Sequence, residues 1–415
     1  MKSRLSLFLS AAICMAYSSC SKEEIVPVDG DDNSPIDTDG SLVRIVPLSS
    51  LAENSDRYTF PGREVCLAAV APEYEAIPFS WAINGKAVES DGRLLKFTPD
   101  QPGTYHIRVE AAVKGAKHIG ECDVFAVDAT EERRRRVSTA SSSETAIRVF
   151  EYLPAPGQFV GDVRNAGTPA EAAEWAQERM QNGKMISLGA FGGYITVGFD
   201  HSVVSSDDGY DFVIRGNAFV TEYGSSNEPA IVWVMQDANG NGLPDDEWYE
   251  LRGSEYDSAT TLRNTYVTYH RPSAPGLDVE WTDAEGASGV VTYLSSLKKT
   301  GRDYYPSWIN ADSYTLYGSR IAPRNALSPA GKWENMPYPW GYADNIGSDN
   351  LEEPALGPGS HCGFCISNAV NADGSPVRLG YIDFVKVQCA TQAESGPLGE
   401  VSTEIFTIKD LNIRK

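Results

Sequence analysis

Apolar and polar residues alternate along most of this chain. Thr104-Tyr105-His106-Ile107-Arg108-Val109-Glu110 and Tyr381-Ile382-Asp383-Phe384-Val385-Lys386-Val387 both place every second side chain on one face. A period of two marks strands that bury one side. Shorter runs predict strands over 64–70, 79–83, 94–97, 121–127, 147–152, 192–200, 210–214, 230–235 and 290–294. Turn residues separate them, as in Asn84-Gly85-Lys86 and Pro102-Gly103. One segment breaks the pattern. Thr168-Pro169-Ala170-Glu171 provides an N-cap, a first-turn proline and a capping-box glutamate, 172–180 fills a helix body, and Asn182-Gly183 ends it. The expected fold is all-β, with an immunoglobulin-like sandwich over 41–128 and a larger, jelly-roll-like sandwich with one short helix over 146–415.

The two ends of the pattern differ from its middle. Lys2 and Arg4 precede an apolar run over 5–16 that is too short to span a bilayer, so 1–19 reads as a signal peptide. Tyr17-Ser18-Ser19-Cys20 resembles a bacterial lipobox, which implies lipid on Cys20. Tyr17 departs from the usual aliphatic residue there. Residues 20–40 are rich in Asp, Gly, Pro and Ser and have little to bury, which predicts an acidic flexible tether. Its opening Ser21-Lys22-Glu23-Glu24 resembles a surface-export signal, and the expected location is the outer face of an outer membrane. Between the sandwiches, 129–145 carries Arg133 to Arg136 and a Ser/Thr-rich run. It reads as a solvated, protease-sensitive linker.

Charge narrows the partners. Lys plus Arg number 35 against 57 Asp plus Glu, a net charge of −22. Nucleic acid and anionic membrane surfaces repel such a chain, so lipid is the only membrane contact expected. Among the 7 cysteines, Cys66 and Cys122 fall in predicted strands and are expected to pair in an exported protein. Cys362-Gly363-Phe364-Cys365 has redox spacing outside any βα context, and one disulfide to Cys389 is expected, with one thiol left over.

The main chemical motif is Asp237-Ala238-Asn239-Gly240-Asn241-Gly242-Leu243-Pro244-Asp245-Asp246-Glu247. Oxygens at alternate positions with a glycine after the third suit a structural calcium ion. Asp237, Asn239, Asn241 and Asp245 are the side-chain candidates, Leu243 offers its carbonyl, and Asp246 or Glu247 closes the shell. The twelfth position is Trp248, so the likeness to an EF-hand stops at the loop.

Aromatic residues concentrate over 304–342. Tyr304, Tyr305, Trp308, Trp333, Tyr338, Trp340 and Tyr342 are candidates for ligand contact, since rings on a proline-stiffened loop suit sugars or a macrocycle. The competing reading makes them local core. His201, beside Asp200, is a candidate axial ligand or a polar strand-end residue. No nucleophile elbow, zinc-protease helix or phosphate loop is present, and no catalytic residue is assigned.

The segment 41–128, with Trp81 on a middle strand and Pro102-Gly103-Thr104-Tyr105 leading into a late one, resembles sandwiches of the PKD type. Further motifs recur in order: Leu188-Gly189-Ala190-Phe191-Gly192-Gly193-Tyr194-Ile195, Gly209-Tyr210-Asp211-Phe212, Gly216-Asn217-Ala218-Phe219, Ser226-Asn227-Glu228-Pro229, the calcium-like loop with Glu247-Trp248-Tyr249-Glu250-Leu251, and 399–404. Together they resemble PKD-domain-containing cell-surface lipoproteins of gut bacteria. The resemblance implies capture of a corrinoid (vitamin B12) for a TonB-dependent transporter. The alternatives are a carbohydrate-binding surface protein or glycan hydrolase, and a structural or adhesive component of an outer-membrane complex.

Overall fold

The computed structural model describes residues 42–47, 56–71, 77–163, 166–206, 208–222, 224–294, 303–352 and 359–413. Cys20, the leader and the tether lie outside them. The fold is all-β. Arg44–Pro47, Val65–Val70 and Leu94–Phe97 form one sheet of the first sandwich. The other runs in the order Arg57–Thr59, Ala116–Ala126, Gly103–Val113, Ser80–Ile83, Lys86–Val88. Val65, Leu67, Trp81, Leu95, Ile107, Val109 and Val124 fill the space between them.

The second unit is built on a six-stranded sheet. Its order is Ala369–Val370, Trp248–Leu251, Ala230–Met235, Tyr381–Cys389, Tyr194–Val204, Arg148–Leu153. Ala230, Val232, Val234, Val385 and Val387 point into the main core, which the helix Pro169–Gln181 helps to cover through Ala172, Ala176 and Met180. The helix starts as its sequence predicts: Thr168 Oγ1 accepts from Glu171 N (3.2 Å), and Glu171 Oε2 accepts from Gly167 N (2.6 Å).

The sheet's other face is also buried. Ile231, Trp233, Met235, Trp248 and Phe384 share a second cluster there. The strand Ser313–Arg320, paired with Leu262–His270, closes over that face, with Gln388 Nε2 donating to Tyr317 O (2.7 Å) and Ser319 Oγ to Glu250 Oε2 (2.6 Å). The first sandwich packs beside it. Ala68 and Val70, on the face of Val65–Val70 away from their own core, meet Tyr317. Arg57 Nη1 donates to Asp246 O, Cys66 N to Glu247 Oε1 and Arg93 Nη2 to Asn264 O.

The arginine run is part of this packing, which corrects the expectation of a solvated linker. Glu131–Arg134 is a short helix, and Glu131 pairs with Arg63 and accepts from Gln236 Nε2. The Arg134 guanidinium lies so close to Gly240 that a Cβ there would sit 2.3 Å from its Nη1. Arg136 binds Asp383, whose side chain is fully buried, at 2.9 Å.

Candidate functional site

The cysteines do not form the expected bridges. Cys66, Cys122, Cys362, Cys365 and Cys389 are all free thiols. Parity explains the first pair. Val65 and Leu67 point into the sandwich, so Cys66 between them points out, whereas Cys122 joins the core. The Cys362 and Cys389 thiols are buried and donate to the Asn345 and Val401 carbonyls, and the Cys365 thiol donates to the Gly209 carbonyl.

The aromatic segment is largely core. Tyr304, Tyr305, Trp308, Tyr338 and Tyr342 are all buried, and their rings pack within clusters of the second unit. The tyrosine hydroxyls are satisfied internally: Tyr338 donates to Ala322 O (2.8 Å), Tyr305 to Ala311 O (3.0 Å), Tyr342 accepts from Glu255 N (3.0 Å) and Tyr304 from Leu294 N (3.2 Å), whereas Trp308 Nε1 is buried without a partner. Trp333 and Trp340 alone of this set are half-buried, with Trp333 packed on Gly396. His201 is no free ligand. Its Nδ1 meets Asp200 Oδ1 at 2.7 Å and its Nε2 meets Asp410 Oδ2 at 2.8 Å, so both ring nitrogens are engaged by carboxylates.

In the Asp237–Glu247 segment the donors converge in part. Asp237 accepts from Gly240 N (2.7 Å) and Gly242 N (3.0 Å), and Gly242 adopts φ +74°, open to glycine at little cost. The Asn239 and Asn241 amides both donate to Asp245, at 3.0 and 2.8 Å. Glu247 turns away from the loop: its Oε1 accepts from Cys66 N (3.3 Å) across the seam between the sandwiches. It is therefore removed from the expected ligand set.

Glu247 instead lines a small cleft at that seam. Glu64 and Cys66 come from the first sandwich, and Trp233, Trp248, Glu250, Tyr256, Arg263 and Asn371 from the second. Glu64 Oε1, Asn371 Oδ1 and Trp233 Nε1 are shielded from solvent yet lack hydrogen-bond partners. Lys386, fully buried, supports the back of the cleft with its ammonium 4.7 Å from the Trp248 ring centre. Burial pushes Glu247 up to about 8 and Glu250 up to about 7, and raises Glu64 as well. The sequence reading missed this site, whose walls come from segments more than 150 residues apart. A local signal did exist. Trp233 alternates with Val232 and Val234, so it faces away from the core they fill.

A second concentration of acid lies inside the large sandwich. Carboxylate oxygens of Glu228, Asp344 and Glu404 come within 4.8 Å of one another. Asp344 accepts from Asn217 N, Ala218 N and Glu404 N, and Glu228 Oε1 from Ser402 N. Burial, then mutual repulsion, raises Glu228, and the same causes push Asp344 up to about 8. Groups raised by folding stabilise fully at a pH below their unfolded values of about 4, and that contribution is lost as pH climbs toward the folded value. Glu228→Gln keeps a donor toward Glu404 without a proton to lose. Its melting temperature should gain about 2–4 °C on the parent between about pH 6 and pH 8. Parallel melting curves across that range would show that the three groups do not share a proton.

No family model matches this chain, and no curated protein does. Among solved structures, one of the carbohydrate-binding modules from the β-sandwich superfamily aligns over 89% of this chain and 98% of its own, with 10% identity and a TM-score of 0.16. SGBP-B of the Bacteroides ovatus mixed-linkage glucan utilization locus, solved with a mixed-linkage heptasaccharide, aligns over 87% and 100%, with 11% identity and a TM-score of 0.18. A quinonprotein alcohol dehydrogenase-like protein from Bacteroides thetaiotaomicron aligns over 89% and 99%, at 8% identity and a TM-score of 0.17. Scores this low bear on neither topology nor ligand.

Proposed function

We propose that the chain is a non-catalytic carbohydrate-binding protein, held at the cell surface by lipid on Cys20, with the seam cleft as its sugar site. The unpartnered atoms in that cleft carry the reading. Two of them, Glu64 Oε1 and Asn371 Oδ1, accept, and one, Trp233 Nε1, donates. Sugar hydroxyls both donate and accept, so they suit a site that offers both kinds of group beside the indoles of Trp233 and Trp248. Hydrolysis needs one carboxyl ionised opposite one protonated. Burial raises all three glutamates, and the proposal gives none of them a catalytic role. The corrinoid reading loses its axial histidine to Asp200 and Asp410 and most of its aromatic platform to the core.

Purified protein should bind members of a neutral oligosaccharide panel and not cobinamide. Asn371→Ala and Glu64→Gln should each weaken that binding about tenfold, the cost of one hydrogen bond in a desolvated site. Their melting temperatures should stay near the parent's. Cobinamide binding without glycan binding overturns the proposal, as does glycan binding that both variants leave intact.

A further inference from the structure

The segment between Asp237 and Glu247 contains a buried carboxylate without a counterpart. Asp246 is 1% exposed, and neither of its oxygens has a hydrogen-bond partner. It faces the backbone N–H groups of Ala238 and Asn239 at the start of the loop without closing a bond to either, and the Asp245 and Asp237 carboxylates repel it. A small cleft opens beside it, bounded in part by Thr59, Gln236 and Ala238. Leaving such a group buried is costly, and native proteins pair it with a cation or a donor. Its nearest guanidinium, Arg57, reaches only the Asp246 carbonyl, at 3.4 Å.

The rest of the loop supplies what a hard cation requires. Asp237 keeps free lone pairs after accepting from Gly240 and Gly242, because each carboxylate oxygen has two. Asn239 and Asn241 already meet at Asp245 through their amide nitrogens. Their Oδ1 atoms accept from Asn241 N (2.8 Å) and Leu243 N (2.7 Å), so turning both amides over exchanges those two bonds for two further oxygens at that point. We propose that this loop binds one calcium ion through Asp237, Asn239, Asn241, Asp245 and Asp246, with the Leu243 carbonyl. Six donors of mixed carboxylate, amide and carbonyl type match the roughly six to eight oxygens that calcium takes in flexible geometry. Magnesium demands a strict octahedron and gives up its water reluctantly, so the loop favours calcium.

The ion would also set the cleft. Glu247 and Trp248 follow Asp246 directly and form part of its wall. This second step rests on the carbohydrate reading, and binding of the ion does not.

Calorimetry on the full chain, stripped with EGTA and titrated with calcium chloride and then magnesium chloride, tests both. One saturable calcium site per chain is expected, at least tenfold tighter for calcium than for magnesium, with a rise in melting temperature. The Asn241 side chain is exposed, so Asn241→Ala should fold and melt like the metal-free parent while binding calcium at least tenfold more weakly. Asp246→Asn should do the same. Absence of a saturable calcium site overturns the proposal, and so does calcium binding that neither variant weakens. Calcium binding that leaves the affinity for a panel sugar unchanged overturns only the link to the cleft.

Discussion

Arg136→Ala should destabilise the folded chain by about 3 kcal/mol, although the residue ends a run of four arginines in a polar, serine-rich stretch. Asp383 is the reason. Its side chain is fully buried, and Oδ1 accepts from Arg136 Nε (3.2 Å) and Nη2 (2.9 Å) and from Ser202 Oγ (2.6 Å). Its Oδ2 accepts from Asp237 N (2.8 Å). Removing the guanidinium strands a carboxylate in the interior, which costs about 3–5 kcal/mol where water is excluded. Arg136 is itself 34% exposed, so the low end applies. Arg133 and Arg135 are exposed, and alanine at either should cost less than about 0.5 kcal/mol. Denaturant unfolding at neutral pH gives the comparison. The deficit should shrink in acid, because Asp383, already raised by burial, then carries a proton. A loss below about 0.5 kcal/mol would return Arg136 to a solvated linker. Trypsin should likewise cut this run slowly.

Tyr342→Ala should cost about 3–5 kcal/mol, the usual range for deleting a buried aromatic ring. The ring is 2% exposed and meets Tyr338 edge-on at 5.4 Å between centroids. It packs against Gly253, where any Cβ would lie 2.6 Å from Tyr342 Cζ, so no other side chain can fill the space. Tyr342→Phe should lose only about 1 kcal/mol, for the bond from Glu255 N. Trp340→Ala, two residues away on a half-buried side chain, should shift the thermal midpoint little. Thermal melts of the three variants, beside sugar binding, separate core from ligand site. Intact stability with lost binding in Tyr342→Ala would place the site on this loop and away from the seam.

These two expectations reverse what composition suggests, and the reasons are physical. Local features were legible wherever neighbours in sequence are neighbours in space. The capping box at Thr168 and Glu171 closes on its own helix, and the alternation in 104–110 and 381–387 reports which side of a strand is dry. Composition misled where tertiary contacts decide. A tyrosine- and proline-rich stretch reads alike whether its rings meet a ligand or one another, and only packing distinguishes the two. Cys66 was paired with Cys122 from strand position alone. The alternation Val65-Cys66-Leu67 already put its thiol on the outer face. The cleft was invisible for another reason. Glu64 and Glu250 are far apart along the chain, and no spacing rule links them.

The seam also constrains how such a protein can be recombined. Tyr58 forms a parallel bridge with Asp246, and Arg57, Cys66 and Arg93 donate across the boundary to backbone or carboxylate of the second unit. A chimera joined within 129–145, with a foreign first sandwich, would strip Asp246 and Glu247 of those neighbours and unroof Trp233. The two halves therefore behave as one heritable unit. Substitutions in strand Val65–Val70 and in the Asp237–Glu247 loop should arise together across lineages, far apart in sequence though the two segments are.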